Sequence, residues 1–141
     1  MKKKMSTRII SLILVVVMLV PLTMAFAKSA DNETQIMPLR YTAITTLYAN
    51  LTISSTGLAT CTGRAEIADG YTGYMTVSLK KTDGSLVKAW NANGTRSMNL
   101  KEYWQVASGN SYYVSVYVAV YDSSNGHFVE GATATSNIAS Y

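Results

Sequence analysis

The chain has 141 residues, with 12 Lys and Arg against 8 Asp and Glu, one His and one Cys. Four of the cations, Lys2, Lys3, Lys4 and Arg8, stand near the N-terminus, so the remainder carries equal numbers of each charge and has no net pull on nucleic acid or an anionic membrane. One cysteine excludes an internal disulfide, and with a single histidine beside it a four-ligand zinc site of those residue types is excluded too.

From the N-terminus, the four cations precede an apolar run from Ile9 to Val20 broken only by Ser11, Pro21 ends the run, and Ala25, Phe26, Ala27 match a small-x-small cleavage pattern. The reading is a secretory signal peptide over 1–27, cut before Lys28, because the run is shorter than the ~20 residues of a membrane-spanning helix. The mature chain is expected outside the cell, secreted, with no stable membrane insertion after cleavage. Residues 28–39 are polar and aperiodic and read as a flexible leader. Residues 40–141 then form one domain, large enough for a single core without disulfides. The sequons at Asn32, Asn50 and Asn93 are given no role, since the Lys-rich signal and scarcity of cysteine look bacterial.

Beyond residue 46 the apolar period is two. Leu47, Ala49, Leu51 and Ile53 alternate with Thr46, Tyr48, Asn50 and Thr52, and Met75, Val77 and Leu79 alternate with Thr76, Ser78 and Lys80. Turn chemistry marks the gaps at Thr56-Gly57, Asp69-Gly70, Asp83-Gly84, Asn93-Gly94, Ser108 to Asn110 and Asn125-Gly126. Between these marks lie about seven strands, near 46–54, 58–68, 74–81, 86–91, 95–106, 112–122 and 127–136, and no segment has a helical face. In the sixth, Tyr112, Val114, Val116, Val118 and Val120 share one face while Tyr113, Ser115, Tyr117, Ala119 and Tyr121 share the other. So long a β-branched face predicts a central strand of an all-β, antiparallel β-sandwich.

Gly109, Asn110, Ser111, Tyr112, Val114 and Val116 resemble the glycine turn and tyrosine corner that lead into strand F of fibronectin type III and immunoglobulin-like sandwiches. The resemblance implies that the Tyr112 hydroxyl bonds to backbone upstream. Cys61 takes the strand B position of the immunoglobulin disulfide, and Val114 stands where its partner would be. Across most of the mature domain the chain also resembles a group of small, uncharacterised secreted proteins of Gram-positive bacteria, through Pro38, Arg40, Tyr41, Gly57, Ala59, Cys61, Gly63, Trp90 and the Gly109 to Val116 segment. That likeness implies fold and location and carries no activity.

The candidate sites weigh unevenly. Cys61 shares parity with Ala59 and Ala65 and is expected to be a small buried residue with a structural part, since a thiol nucleophile needs a cation or His nearby and His127 lies in a turn near one end. The carboxylates Glu66, Asp69, Asp83, Glu102, Asp122 and Glu130 are scattered, and no G-x-S-x-G elbow exposes a serine. Residues 122–126 offer oxygen ligands but lack the further acids of a calcium loop, and read as a hairpin turn. No cofactor and no metal is expected. The biased feature is ten tyrosines, all in the mature part. Tyr113, Tyr117 and Tyr121 share one parity, and rings four residues apart along a strand are about 13 Å apart, a spacing that suits stacking on an extended glycan. Cross-strand packing is the competing use, and Trp90 and Trp104 face the same choice.

The sequence therefore points to a non-catalytic extracellular interaction or binding module whose partner is a cell-wall or host glycan or a protein. The competing classes are a small secreted hydrolase working through carboxylates, and a structural component of the envelope or matrix.

Overall fold

The structure is a computed structural model that describes residues 42–141. The signal peptide and leader expected over 1–27 and 28–39, and the landmarks Pro38, Arg40 and Tyr41, lie outside the described residues. The strands are β1 (Ile44–Ile53), β2 (Leu58–Ile67), β3 (Tyr71–Lys81), β4 (Leu86–Gly94), β5 (Ser97–Gln105), β6 (Ser111–Asp122), β7 (Phe128–Thr135) and the short β8 (Ala139–Ser140). They form a three-stranded sheet, β1-β2-β5, and a five-stranded sheet, β4-β3-β6-β7, in which β8 also pairs with β6. All pairings are antiparallel. The protein is an immunoglobulin-like, specifically fibronectin-like, β-sandwich: β4 lies beside β3, whereas the constant-type immunoglobulin order keeps its fourth strand at the edge of the other sheet.

The eighth strand was not expected. It pairs with Ser111 and Tyr112 at the start of β6, on residues that β7, pairing from Ser115 onward, leaves free. Two residues of pairing carry too little periodicity to register in a sequence. Five of the six expected turns do contain a glycine at positive φ, namely Gly57, Gly70, Gly84, Gly109 and Gly126. Asn93-Gly94 differs: both residues stay in β4, paired with Tyr74 and Gly73. The missing side chain serves close approach there, since a Cβ on Gly94 would come within 3.1 Å of Met98 Cγ and the Ser97 carbonyl.

The core follows from parity. Leu47 and Leu51 of β1, Met75, Val77 and Leu79 of β3, and Tyr112, Val114, Val116, Val118 and Val120 of β6 are buried between the sheets. The inward row of β2 is small, Ala59, Cys61, Gly63 and Ala65, and meets this bulky valine surface. A Cβ on Gly63 would collide with Val77 Cγ2 and lie 3.0 Å from Val116 Cγ2. The small row is thus the complement of the β-branched one, and lets the two sheets interdigitate at interior density.

Two polar contacts tie loops to this core. The Tyr112 hydroxyl donates to the Ala107 carbonyl at 2.7 Å, five residues upstream, and the ring is buried. The Glu130 carboxylate of β7 accepts from three successive backbone N–H groups, those of Thr42 (3.2 Å), Ala43 (2.7 Å) and Ile44 (2.7 Å). It thereby holds the start of β1 against the facing sheet.

Candidate functional site

The outer face of the five-stranded sheet is built by three neighbouring strands. Tyr113, Ser115, Tyr117, Ala119 and Tyr121 of β6 stand opposite Lys80, Ser78, Thr76, Tyr74 and Thr72 of β3. On the other side, β7 places Thr133 opposite Tyr117, Gly131 opposite Ala119 and Phe128 opposite Tyr121. The face is therefore aromatic rings set among hydroxyl groups. Asn91 extends it on β4, where Thr76 Oγ1 donates to its Oδ1 at 2.8 Å.

The three tyrosines singled out in the sequence share the outer face of β6 and have different surroundings. Tyr121 packs edge to face against Tyr74, with centroids 5.5 Å apart and planes at 88°, and against Phe128, at 5.6 Å and 74°. Tyr117 is 45% exposed, and its ring rests over Gly131, where a Cβ would lie 2.8 Å from the hydroxyl oxygen and 3.2 Å from Cε2. Tyr113 is half-buried, at the other end beside Lys80. The rings cluster because aromatic quadrupoles favour edge-to-face contact over coplanar rows once neighbouring strands bring them within reach. Ala119, outward by parity, is only 8% exposed at the centre of this cluster.

Tyr74 (53% exposed) and Phe128 (58%) belong to the cluster and were not singled out from the sequence. Tyr74 has a readable signal, since it alternates with Thr72 and Thr76 on the wet parity of its strand. Phe128 has none, because a register shift between Val120 and Tyr121 decides which way it faces.

Beside the cluster opens a depression of about 470 Å³ lined by Thr72, Tyr74, Tyr121, Asp122, Ser123 and Gly126. Thr72 and Ser123 share a hydroxyl hydrogen bond of 2.9 Å at its wall. Hydrogen bonds from the Ser124 hydroxyl and N–H hold the Asp122 carboxyl below the usual aspartate range. The depression thus combines two ring walls, two hydroxyls and an ionised carboxylate, groups that accept and donate to a polyol.

Other chemistry-bearing residues are spread over the domain. Cys61 is fully buried, and burial pushes its thiol up to about 11. Protonated and enclosed at neutral pH, it is a core residue. His127 is exposed in the turn between β6 and β7, its backbone N–H donating to Asn125 Oδ1. Among the carboxylates, Glu66 pairs with Arg64 and Asp69 takes two donors from Arg96. Asp83 and Asp122 cap their own turns through Ser85 and Ser124, and Glu130 holds β1. Trp90 and Trp104 pack on each other edge to face at 6.5 Å, bridging the edge strands β4 and β5, with Lys88 Nζ 4.9 Å from the Trp104 ring centre. No group of three or more metal-ligating side chains occurs among the described residues.

No protein-family model and no curated protein matches the sequence. Among solved structures, part of the fold is similar to a β-glucuronidase of Bacteroides uniformis, with a TM-score of 0.41 and 14% identity over 63% of this chain and 12% of that one. A calcium-binding mutant of β-glucuronidase 2 from the same organism gives a TM-score of 0.42 and 13% identity over 71% of this chain and 14% of that one. The chain spans about one eighth of the length of those enzymes.

Proposed function

We propose that this protein is an exported, non-catalytic binding module that takes an extracellular glycan on the outer face of its five-stranded sheet. The observation that carries the reading is an exposed aromatic surface: Tyr74 and Phe128, both packed on Tyr121, are about half exposed, as is Tyr117 on the same face, among Thr, Ser and Asn side chains. Exposed rings offer C–H surfaces of a sugar a stacking partner, and the flanking Thr, Ser and Asn side chains exchange hydrogen bonds with its hydroxyls. The ~470 Å³ depression at the end of the cluster has room for one sugar unit, with Asp122 as an acceptor.

The carboxylates support binding over hydrolysis. A glycosidase needs two facing carboxyl groups, and of the six carboxylates named above Glu66, Asp69, Asp83, Asp122 and Glu130 each serve a separate ion pair, turn or strand anchor, while Glu102 stands on β5. Export rests on the N-terminal signal pattern, and its check is the N-terminal residue of protein recovered from culture medium, expected to be Lys28.

The test is a binding screen of the secreted protein against isolated cell-wall polysaccharides and host glycans, with product release monitored. Saturable binding without turnover, weakened at least about tenfold by Tyr117→Ala or Tyr74→Ala at nearly unchanged melting temperature, is the expected result. Turnover abolished by a single carboxylate substitution would move the protein to the hydrolase class. Concentration-dependent polymerisation without ligand would make it a structural component.

A further inference from the structure

The four edge strands of the sandwich are not equally defended. An exposed edge presents unpaired N–H and C=O groups, and folded proteins blunt such edges with charges, bulges or short strands. β5 carries Lys101 and Glu102. β4 carries Lys88, has a register shift opposite Leu79 and Lys80, and is bridged to β5 by the Trp90–Trp104 contact. β7 is eight residues long, with a register shift beside Glu130. β1 has such devices only at its start, where a register shift lies between Ile44 and Thr46 and Glu130 takes the Ile44 N–H. Its ten residues, Ile44–Ile53, include no charge and no proline, its one register shift is confined to the first three, and from Thr46 to Ile53 it pairs with β2 without interruption. Among the described residues no strand pairs with its other edge.

We infer that the β1 edge is a self-association surface, on which β1 of a second copy adds antiparallel to form one continuous six-stranded sheet, β5-β2-β1 joined to its twofold mate. A second copy fits because the edge is self-complementary. An antiparallel pair about a twofold brings residue i of one copy opposite residue j of the other and j opposite i, so every cross-strand pair is drawn from the same strand, and like charges there oppose pairing. Thr46, Tyr48, Asn50 and Thr52 on the outer face are all neutral and hydrogen-bonding or aromatic, so nothing in this strand repels itself. Glu130 contributes by anchoring the start of β1 to the facing sheet, which opposes fraying of the strand's first residues.

The geometry has a consequence for the aromatic face. The twofold of such a pair stands normal to the joined sheet, so both five-stranded sheets lie on one side and their ring clusters point the same way. If the proposed glycan reading holds, two clusters engage one polymer surface with an effective local concentration that a monomer lacks. The self-association itself does not rest on that reading.

The experiment is sedimentation of the secreted protein over a wide concentration range, with amide exchange measured at low and high concentration. A dimer is expected, with exchange at alternate residues of Thr46 to Ile53 slowed as concentration rises and exchange in β4 and β7 unchanged. The double variant Asn50→Lys, Thr52→Lys places like charges on the strand and should weaken the dimer at least about tenfold at native melting temperature. Asn99→Lys on β5 serves as control and should leave it intact. A monomer at every concentration, or a dimer that leaves β1 exchange unchanged, overturns the inference. Neither result touches glycan binding by a single domain, so failure here and failure of the proposed function remain distinguishable.

Discussion

Tyr112 and Tyr113 are adjacent, yet they meet opposite fates. The first is buried with its hydroxyl on the Ala107 carbonyl, and the second faces outward beside Lys80. Tyr112→Phe removes that hydrogen bond while keeping the ring, and because Ala107 is exposed its carbonyl can regain water. The expected loss is about 1 to 2 kcal/mol, against a few tenths for Tyr113→Phe, measured by denaturant titration. Cys61 is enclosed and its thiol is raised to about 11, so it should label slowly in the native state and rapidly once unfolded. Gly131 is the residue-scale surprise. It has no left-handed φ, so Ala is allowed by the backbone, but the added methyl would press on the Tyr117 ring. Under the proposed glycan reading, Gly131→Ala should therefore reduce affinity about as much as Tyr117→Ala, with little change in melting temperature. Affinity equal to the wild type would remove the posture of Tyr117 from the binding mechanism. Parity along β6 identified Tyr117 as outward, but a contact between a ring and a glycine on the next strand has no trace in either strand alone.

At the scale of elements, two strands depend on single residues elsewhere. Gly63→Ala inserts a methyl between Val77 and Val116 in the closest part of the sandwich, and overpacking of this kind costs about 1 to 3 kcal/mol. Glu130→Ala leaves three N–H groups at the start of β1 without their acceptor, with an expected cost of about 2 kcal/mol and faster amide exchange at Ala43 and Ile44. The hairpin turns add a pH dependence. Asp83 and Asp122 have carboxyls held below the ordinary value of 3.8 by hydrogen bonds from Ser85 and Ser124. A carboxyl lowered in the folded state contributes stability that is present above its unfolded pKa and is lost as pH falls through the folded one. Melting temperature should thus be insensitive to these two groups above about pH 4 and decline below it, and Asp83→Asn with Asp122→Asn should flatten that part of the decline. Strand parity and turn residues were legible because they are local. Glu130 was not, since its partners stand 86 to 88 residues away in the chain.

At the scale of the whole molecule, alternating apolar positions, glycine-marked turns and a five-residue apolar face in β6 with four β-branched valines determined that this chain is an antiparallel sandwich with Tyr112 and Cys61 inside. These are short-range properties: a period of two states which face is buried, and a glycine states where the chain can reverse. The tertiary structure alone decided that β4 pairs with β3, that β8 pairs with the start of β6, and that β1 stands at an edge of the three-stranded sheet among the described residues. It also set Tyr74 and Phe128 against Tyr121 and placed Gly131 beneath Tyr117, contacts that parity along β6 does not contain. The reason is register. Which residues of neighbouring strands stand opposite one another depends on how far each strand slides, and a single bulge such as that beside Tyr121 resets every pair beyond it.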